Sequence, residues 1–128
     1  MILGNTFMPV KVLVIDENPG MTELLDLLLR SYGLEVISTN DSEFGLELAR
    51  SKKPDIITLD LTIPNINGWQ LCKAIRSFSP VPIIILSAYD DPASIARGLD
   101  AGADDYLVKP VPASMLVACI NKFTPVKK

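Results

Sequence analysis

The chain has 128 residues, 12 Lys and Arg against 15 Asp and Glu, a formal net charge of −3 and no histidine. At 48% hydrophobic and 21% charged it reads as one globular α/β-sized domain, since ~100–200 residues suffice to bury a core. The composition excludes a His general base, Ser/His and Cys/His nucleophile pairs and the usual His-containing zinc sites, and it argues against nucleic acid as a direct partner.

The predicted elements alternate strictly. Residues 11–15 (KVLVI) form a short β-branched run, which predicts a strand buried on both faces. Asn18 then offers a helix cap and Pro19 a first-turn proline, with Met21, Leu24, Leu25, Leu28 and Leu29 at helical spacing until Gly33. Residues 34–38 read as the second strand. Asn40 and Glu43 predict a capping box for a helix through Phe44, Leu46, Leu48 and Ala49. Residues 55–59 (DIITL) follow Pro54 as the third strand. Pro64, Asn65, Asn67 and Gly68 make a turn-rich loop, and Trp69, Leu71, Cys72 and Ile75 mark a third helix. Residues 83–86 (IIIL) are the fourth strand. Asp91 and Pro92 open a helix to about Asp100, with Gly102 as its C-terminal cap. Residues 106–108 are the fifth strand, and a last helix runs from Pro112 to Phe123, before Pro125.

Five strand–helix units in a row imply a parallel sheet covered on both faces, a doubly wound α/β domain. We place it at residues 10–124, with 1–9 as a leader lacking a signal-peptide pattern and 125–128 as a tail. No stretch sustains the ~18 or more apolar residues of a membrane helix. Cys72 and Cys119 are too few and too far apart for a disulfide framework or a four-Cys metal site. They read as reduced core thiols of a cytoplasmic protein.

In such folds ligands bind at the carboxyl ends of the strands. There the sequence places Asp16 and Glu17 after strand one, Asp60 after strand three, Ser87 after strand four and Lys109 after strand five. Each alone is an ordinary cap or surface residue. Together they predict three converging carboxylates with a hydroxyl and an amine. Crowded carboxylates recruit a hard cation, most simply Mg²⁺, with Asp16, Glu17 and the backbone carbonyl of Thr62 as further oxygen donors. Such a site leaves room for a phosphoryl oxygen, which Ser87 and Lys109 can contact. Asp60, alone at the end of a central strand, is then the nucleophile that forms an aspartyl phosphate. Asp104 and Asp105 read as solvated turn residues.

These residues resemble the receiver domain of two-component response regulators. The resemblance lies in 12–17 (VLVIDE), in 54–61 (PDIITLDL) followed by Ile63, Pro64, Asn67 and Gly68, in 83–88 (IIILSA) and in 102–110 (GADDYLVKP). It implies a flavodoxin-like sheet of order 2-1-3-4-5 with five flanking helices. It implies phosphorylation of Asp60 by a histidine kinase or phosphotransfer protein, Mg²⁺ at Asp16, Glu17, Asp60 and the Thr62 carbonyl, and phosphoryl contacts from Ser87 and Lys109. Tyr106 would be the aromatic that moves into space freed by Ser87, and Lys109–Pro110 a cis bond. The chain departs from the pattern at Glu17 and Asn67, where Asp is commoner, and at Met115, Cys119 and Asn121, where many dimerising relatives carry charges. The apolar last helix leaves two readings open: a contact with a partner or second copy through the helix 4–strand 5–helix 5 face, or a wide face packed on the sheet.

Other function classes fit less well. A phosphohydrolase using Asp60 would want an acid where Thr62 stands. A phosphorylation-independent pseudo-receiver would more often lack Asp60 or Lys109. A flavin binder would not place Asp16 and Glu17 where a phosphate must sit. The chain therefore reads as a switch and not as an enzyme acting on other molecules.

Overall fold

The computed structural model describes residues 9–62 and 67–124. Five short apolar segments pair as β1 (Lys11–Ile15), β2 (Glu35–Thr39), β3 (Ile56–Asp60), β4 (Ile83–Ser87) and β5 (Asp105–Val108). All pairings are parallel and the spatial order is β2-β1-β3-β4-β5, that is 2-1-3-4-5. The strands alternate with α1 (Pro19–Ser31), α2 (Ser42–Ser51), α3 (Gly68–Arg76), α4 (Pro92–Asp100) and α5 (Ala113–Phe123). Every residue of β3 and β4 is buried. Helices on both sheet faces demand this, and unbroken Ile/Leu runs supply it.

Alternation along the strands splits the core in two. Val12, Val14, Ile56, Ile84 and Leu86 pack with Leu25 and Leu29 of α1 and with Leu116, Val117 and Ile120 of α5. Leu13, Ile15, Ile57, Leu59 and Ile83 pack with α2 and α3 on the other face. There Ile85 and Tyr106 meet Leu61 and, from α4, Ile95. The Arg97 guanidinium lies 4.0 Å from the Trp69 ring and braces α4 against α3.

Several sequence expectations shift by a residue. β2 begins at Glu35, and β3 and β4 extend to Asp60 and Ser87, so these two are the last residues of their strands and not the first beyond them. Asn18, Asn67 and Asp91 cap α1, α3 and α4, accepting from Met21, Gln70 and Ser94 amides at 3.2, 2.9 and 3.0 Å. The cap of α2 is Asp41, which accepts from the Glu43 amide at 2.9 Å, and not Asn40. The Asn40 side chain is spent on Asp16, just past β1, and on Thr22 of α1 instead. Gly33 and Gly102 take positive φ, 86° and 115°, just past α1 and α4. The Lys109–Pro110 bond is cis. Residues 1–8 of the 1–9 leader, Ile63, Pro64, Asn65 and Pro125 with the tail lie outside the described residues.

Packing bears on two readings. The apolar residues of α5 go mostly inward: Leu116, Val117, Cys119 and Ile120 are buried, and Met115 is left exposed. The wide face on the sheet accounts for most of that helix's hydrophobicity. Asp104 and Asp105 are not merely solvated. Asp104 Oδ2 accepts from Arg76 at 2.8 Å and from the Ile83 amide at 2.9 Å, closing the loop before β5 onto α3 and β4. Asp105 accepts from the Cys119 thiol at 3.3 Å. Burial and that carboxylate push the thiol up to about 11. Cys72 and Cys119 are both free and buried.

Candidate functional site

Strand register assembles the site. Ile15 pairs with Leu59, so the next residues, Asp16 and Asp60, stand side by side at the carboxyl edge of the sheet. Asp60 continues the row of Ile56 and Thr58, which faces α1 and α5. Lys109 continues the row of Leu107 on the same face. Its Nζ therefore reaches Asp60 Oδ2 at 2.6 Å and Asp16 Oδ2 at 3.7 Å. The other Asp60 oxygen accepts from the Thr62 amide at 2.8 Å and the Thr62 hydroxyl at 2.7 Å. Asp16 Oδ1 accepts from the Asn18 amide at 3.0 Å. An open cleft of about 460 Å³ lies over these groups, with Asp16, Glu17, Asp60, Thr62 and Lys109 in its walls and Asn18, Pro19 and Met21 on the α1 side.

The two aspartates are buried, at 2% and 4% exposure, and the electrostatics separates them. Burial raises the Asp60 carboxyl, but the Lys109 ammonium and the two Thr62 donors outweigh it, and the group sits below its ordinary value. Burial also raises Asp16, and there it wins: the Asn18 amide and Lys109 do not offset it, and the Asp60 charge adds to it. Lys109 is lowered by burial, yet its bond to Asp60 and the charges of both aspartates leave it above its ordinary value.

All three expected carboxylates line the cleft, but only Asp16 and Asp60 are buried together. Glu17 is exposed on the rim of the cleft, and among the described residues no three His, Cys, Asp or Glu side chains group closely enough to hold a metal ion. Asp16 is buried at the floor of the cleft, and Glu17, one residue on, contributes to its wall from the exposed side.

Ser87 belongs to the opposite face. It continues the row of Ile83 and Ile85 on the α2–α3–α4 side, and it is absent from the cleft wall. Its hydroxyl accepts from the Tyr89 amide at 3.0 Å. Tyr106 shares that face, is 9% exposed, and donates its hydroxyl proton to the Tyr89 carbonyl at 2.7 Å. The Tyr106 ring is buried among Ile85 and Leu61. One residue, Tyr89, ties Ser87 to Tyr106 through its amide and its carbonyl. No sequence signal marks Tyr89, because it acts through its backbone. The Lys109 amide donates to the Ser87 carbonyl at 2.8 Å, which links the two faces.

Comparison with known proteins agrees with this architecture. The family model described as response regulator receiver domain matches residues 12–121. The chain belongs to the response regulator receiver domain family. This receiver domain is 38% identical over 111 residues to the DNA-binding response regulator MtrA of Mycolicibacterium smegmatis, covering 87% of this chain and 49% of that protein. The chain therefore spans about half the length of the curated relatives it matches. A two-component response regulator from Clostridium difficile superposes with a TM-score of 0.87 at 30% identity, covering 90% of this chain and 95% of the other. The BeF3-activated DrrB receiver domain superposes with a TM-score of 0.84 at 26% identity, over 93% and 100% of the two chains.

Receiver domains typically bind Mg²⁺. The residues of this cleft fit such an ion. The donors are oxygens only, two carboxylates are buried side by side, and the upward push on Asp16 is what a cation beside it would relieve.

Proposed function

We propose that this receiver domain, at residues 10–124, is a phosphorylation switch that takes a phosphoryl group onto Asp60 from a phosphohistidine on a histidine kinase or phosphotransfer protein. The observation that carries the reading is the Asp60 carboxylate: buried, held ionised by Lys109 at 2.6 Å, and open to the cleft. An ionised carboxylate is the form that can attack phosphorus. An O–P bond forms at Asp60, the P–N bond of the donor breaks, and the leaving imidazole takes a proton from solvent. The chain has no histidine, so the donor is another protein. Receiver domains are typically not classical enzymes, and the reaction modifies the chain itself.

Asp16 and Asp60, with Glu17 and the Thr62 carbonyl, would hold Mg²⁺. Bound there, the ion supplies charge neutralisation for the phosphoryl oxygens. Lys109 follows the charge from the Asp60 carboxylate to the phosphoryl group. The Thr62 amide and hydroxyl orient the attacked-from carboxylate and keep it ionised. Ser87 accepts from the Tyr89 amide and keeps its own proton, which it would donate to a phosphoryl oxygen, and turning toward that oxygen would loosen its hold on the loop that Tyr106 anchors. The face of α4, β5 and α5 then changes its affinity for a second copy or a partner. Tyr89, Leu99, Val108 and Met115 are the large apolar residues left exposed around it. Phosphorylation shifts a population between packings and creates no new fold. Among the described residues no helix is long and apolar enough to cross a membrane, and we place the switch in the cytoplasm without direct contact to nucleic acid.

Acetyl phosphate with Mg²⁺ followed by intact-mass measurement tests this. The expected outcome is one phosphoryl adduct on the wild type and none on Asp60→Asn. An unmodified wild type would point to the phosphorylation-independent interaction module.

A further inference from the structure

The backbone of Asp16 is gripped from both sides by the turn after β2. Its amide donates to the Thr39 carbonyl at 3.1 Å. Its carbonyl accepts from Asn40 Nδ2 at 2.7 Å. The second proton of the same amide nitrogen goes to Thr22 Oγ1 at 3.1 Å, and the Thr22 hydroxyl passes its own proton to the Pro19 carbonyl at 2.9 Å. Thr22 is buried. Asn40 thus spends one donor on the start of the loop that carries Asp16, Glu17 and Asn18, and the other on the first turns of α1 that follow it. The primary amide of Asn offers two protons from one uncharged nitrogen, and both are used here.

We propose that Asn40 is a positioning residue for the acidic end of the cleft: it fixes the Asp16–Glu17 peptide and thereby sets the affinity of the site for a divalent cation. The inference rests on the Mg²⁺ part of the function proposed above. The peptide after Asp16 controls where the Glu17 side chain leaves the backbone. It also controls whether the Asn18 amide meets Asp16 Oδ1, the bond that aims this carboxylate. Groups that orient metal ligands from behind are worth roughly 10–100-fold in affinity. Asn40 makes no contact with Asp60 or Lys109 among the bonds described here, so its effect falls on the cation and not on the phosphoryl acceptor.

The test compares wild type, Asn40→Ala and Thr22→Val. Calorimetric titration with MgCl₂ alone reads affinity, and amide hydrogen exchange at Asn18 in metal-free protein reads the loop. Asn40→Ala is expected to weaken Mg²⁺ roughly 10-fold and to speed exchange at Asn18. With acetyl phosphate it should raise the half-saturating Mg²⁺ while leaving the maximal rate at saturating metal near that of wild type. Thr22→Val, which keeps the bond to Asp16, should cost stability and leave Mg²⁺ affinity close to wild type. Unchanged affinity in Asn40→Ala overturns the proposal, as does an equal loss in Thr22→Val, which would assign the effect to general loosening of α1. If the wild type takes up no Mg²⁺, the metal reading falls, and unchanged Asn18 exchange in Asn40→Ala then overturns the positioning role by itself.

Discussion

Asp16 and Asp60 stand side by side with opposite protonation tendencies, and this has consequences for stability. Asp60 lies below its ordinary value of 3.8, so its ionised form favours the native state. That contribution is present above the ordinary value and is lost as pH falls through the lowered one. Asp16 lies above 3.8, so its ionised form is a burden on the native state. Stability is greatest with Asp16 protonated and declines as pH rises from 3.8 through the raised value. Lys109 contributes stability below its ordinary 10.5 that disappears above its raised value. We predict that Asp16→Asn, which keeps an acceptor for the Asn18 amide, raises the thermal midpoint of metal-free protein at pH 7. The gain should vanish below pH ~3.8, where both forms are neutral. Melting curves at the two pH values check this, and a lower midpoint at pH 7 would sink it. The identities of Asp16, Asp60 and Lys109 were legible in the sequence because each ends a strand. Their pKa directions were not, because burial and the 2.6 and 3.7 Å contacts arise from three segments far apart in the chain.

Helix ends show which local signals survive folding. Asn18 with Pro19, and Asp91 with Pro92, were readable because a cap and a first-turn proline act within one turn. Asn40 looked like the cap of α2 and is not, because Asp16 and Thr22, distant in sequence, compete for its amide. Asp41, one residue on, takes the local role. The start of α3 carries a tighter constraint. A Cβ built on Gly68 would lie 2.6 Å from the Leu61 Cα, a backbone atom that cannot swing aside. The first turn of α3 therefore presses directly on the chain just beyond Asp60. Gly68→Ala is expected to destabilise the protein by about 1–3 kcal/mol, since the overlap must be relieved by moving α3 or the end of β3. Urea denaturation measures it, and a stability equal to wild type would show that α3 shifts freely. The apolar character of α5 was equally plain in sequence. Whether it faced the sheet or a partner was undecidable, because a helix does not encode what covers it.

At the scale of the molecule, the sheet is a partition. Asp16, Asp60 and Lys109 lie toward α1 and α5, while Ser87 and Tyr106 lie toward α3 and α4. A chemical event at Asp60 must cross this partition to reach α4, and the hydrogen bond from the Lys109 amide to the Ser87 carbonyl, together with the two hydrogen bonds of the Tyr89 backbone, provides a short route. The cleft also couples to global stability. A ligand that binds only the folded chain adds about 2.7 kcal/mol at one hundred times its Kd. Saturating Mg²⁺ is therefore expected to raise the thermal midpoint of the wild type, and removal of the metal with a chelator to return it. Asp16→Asn should lose most of this response, and a variant that keeps all of it would remove Asp16 from the metal site. The sequence by itself determined the alternation of strands and helices, the parallel sheet that alternation requires, and the acids, hydroxyl and amine that fall at strand ends. These are local properties, set by hydrophobic period and by turn chemistry within a few residues. Only the tertiary structure decided that Asp16 and Asp60 lie buried side by side with Glu17 exposed on the rim, that Ser87 continues the row on the other face of the sheet, that Tyr106 is buried, and that Asn40 grips Asp16. Those outcomes depend on register between strands and on which side of the sheet each residue takes, and both are fixed only when segments distant in the chain pack together.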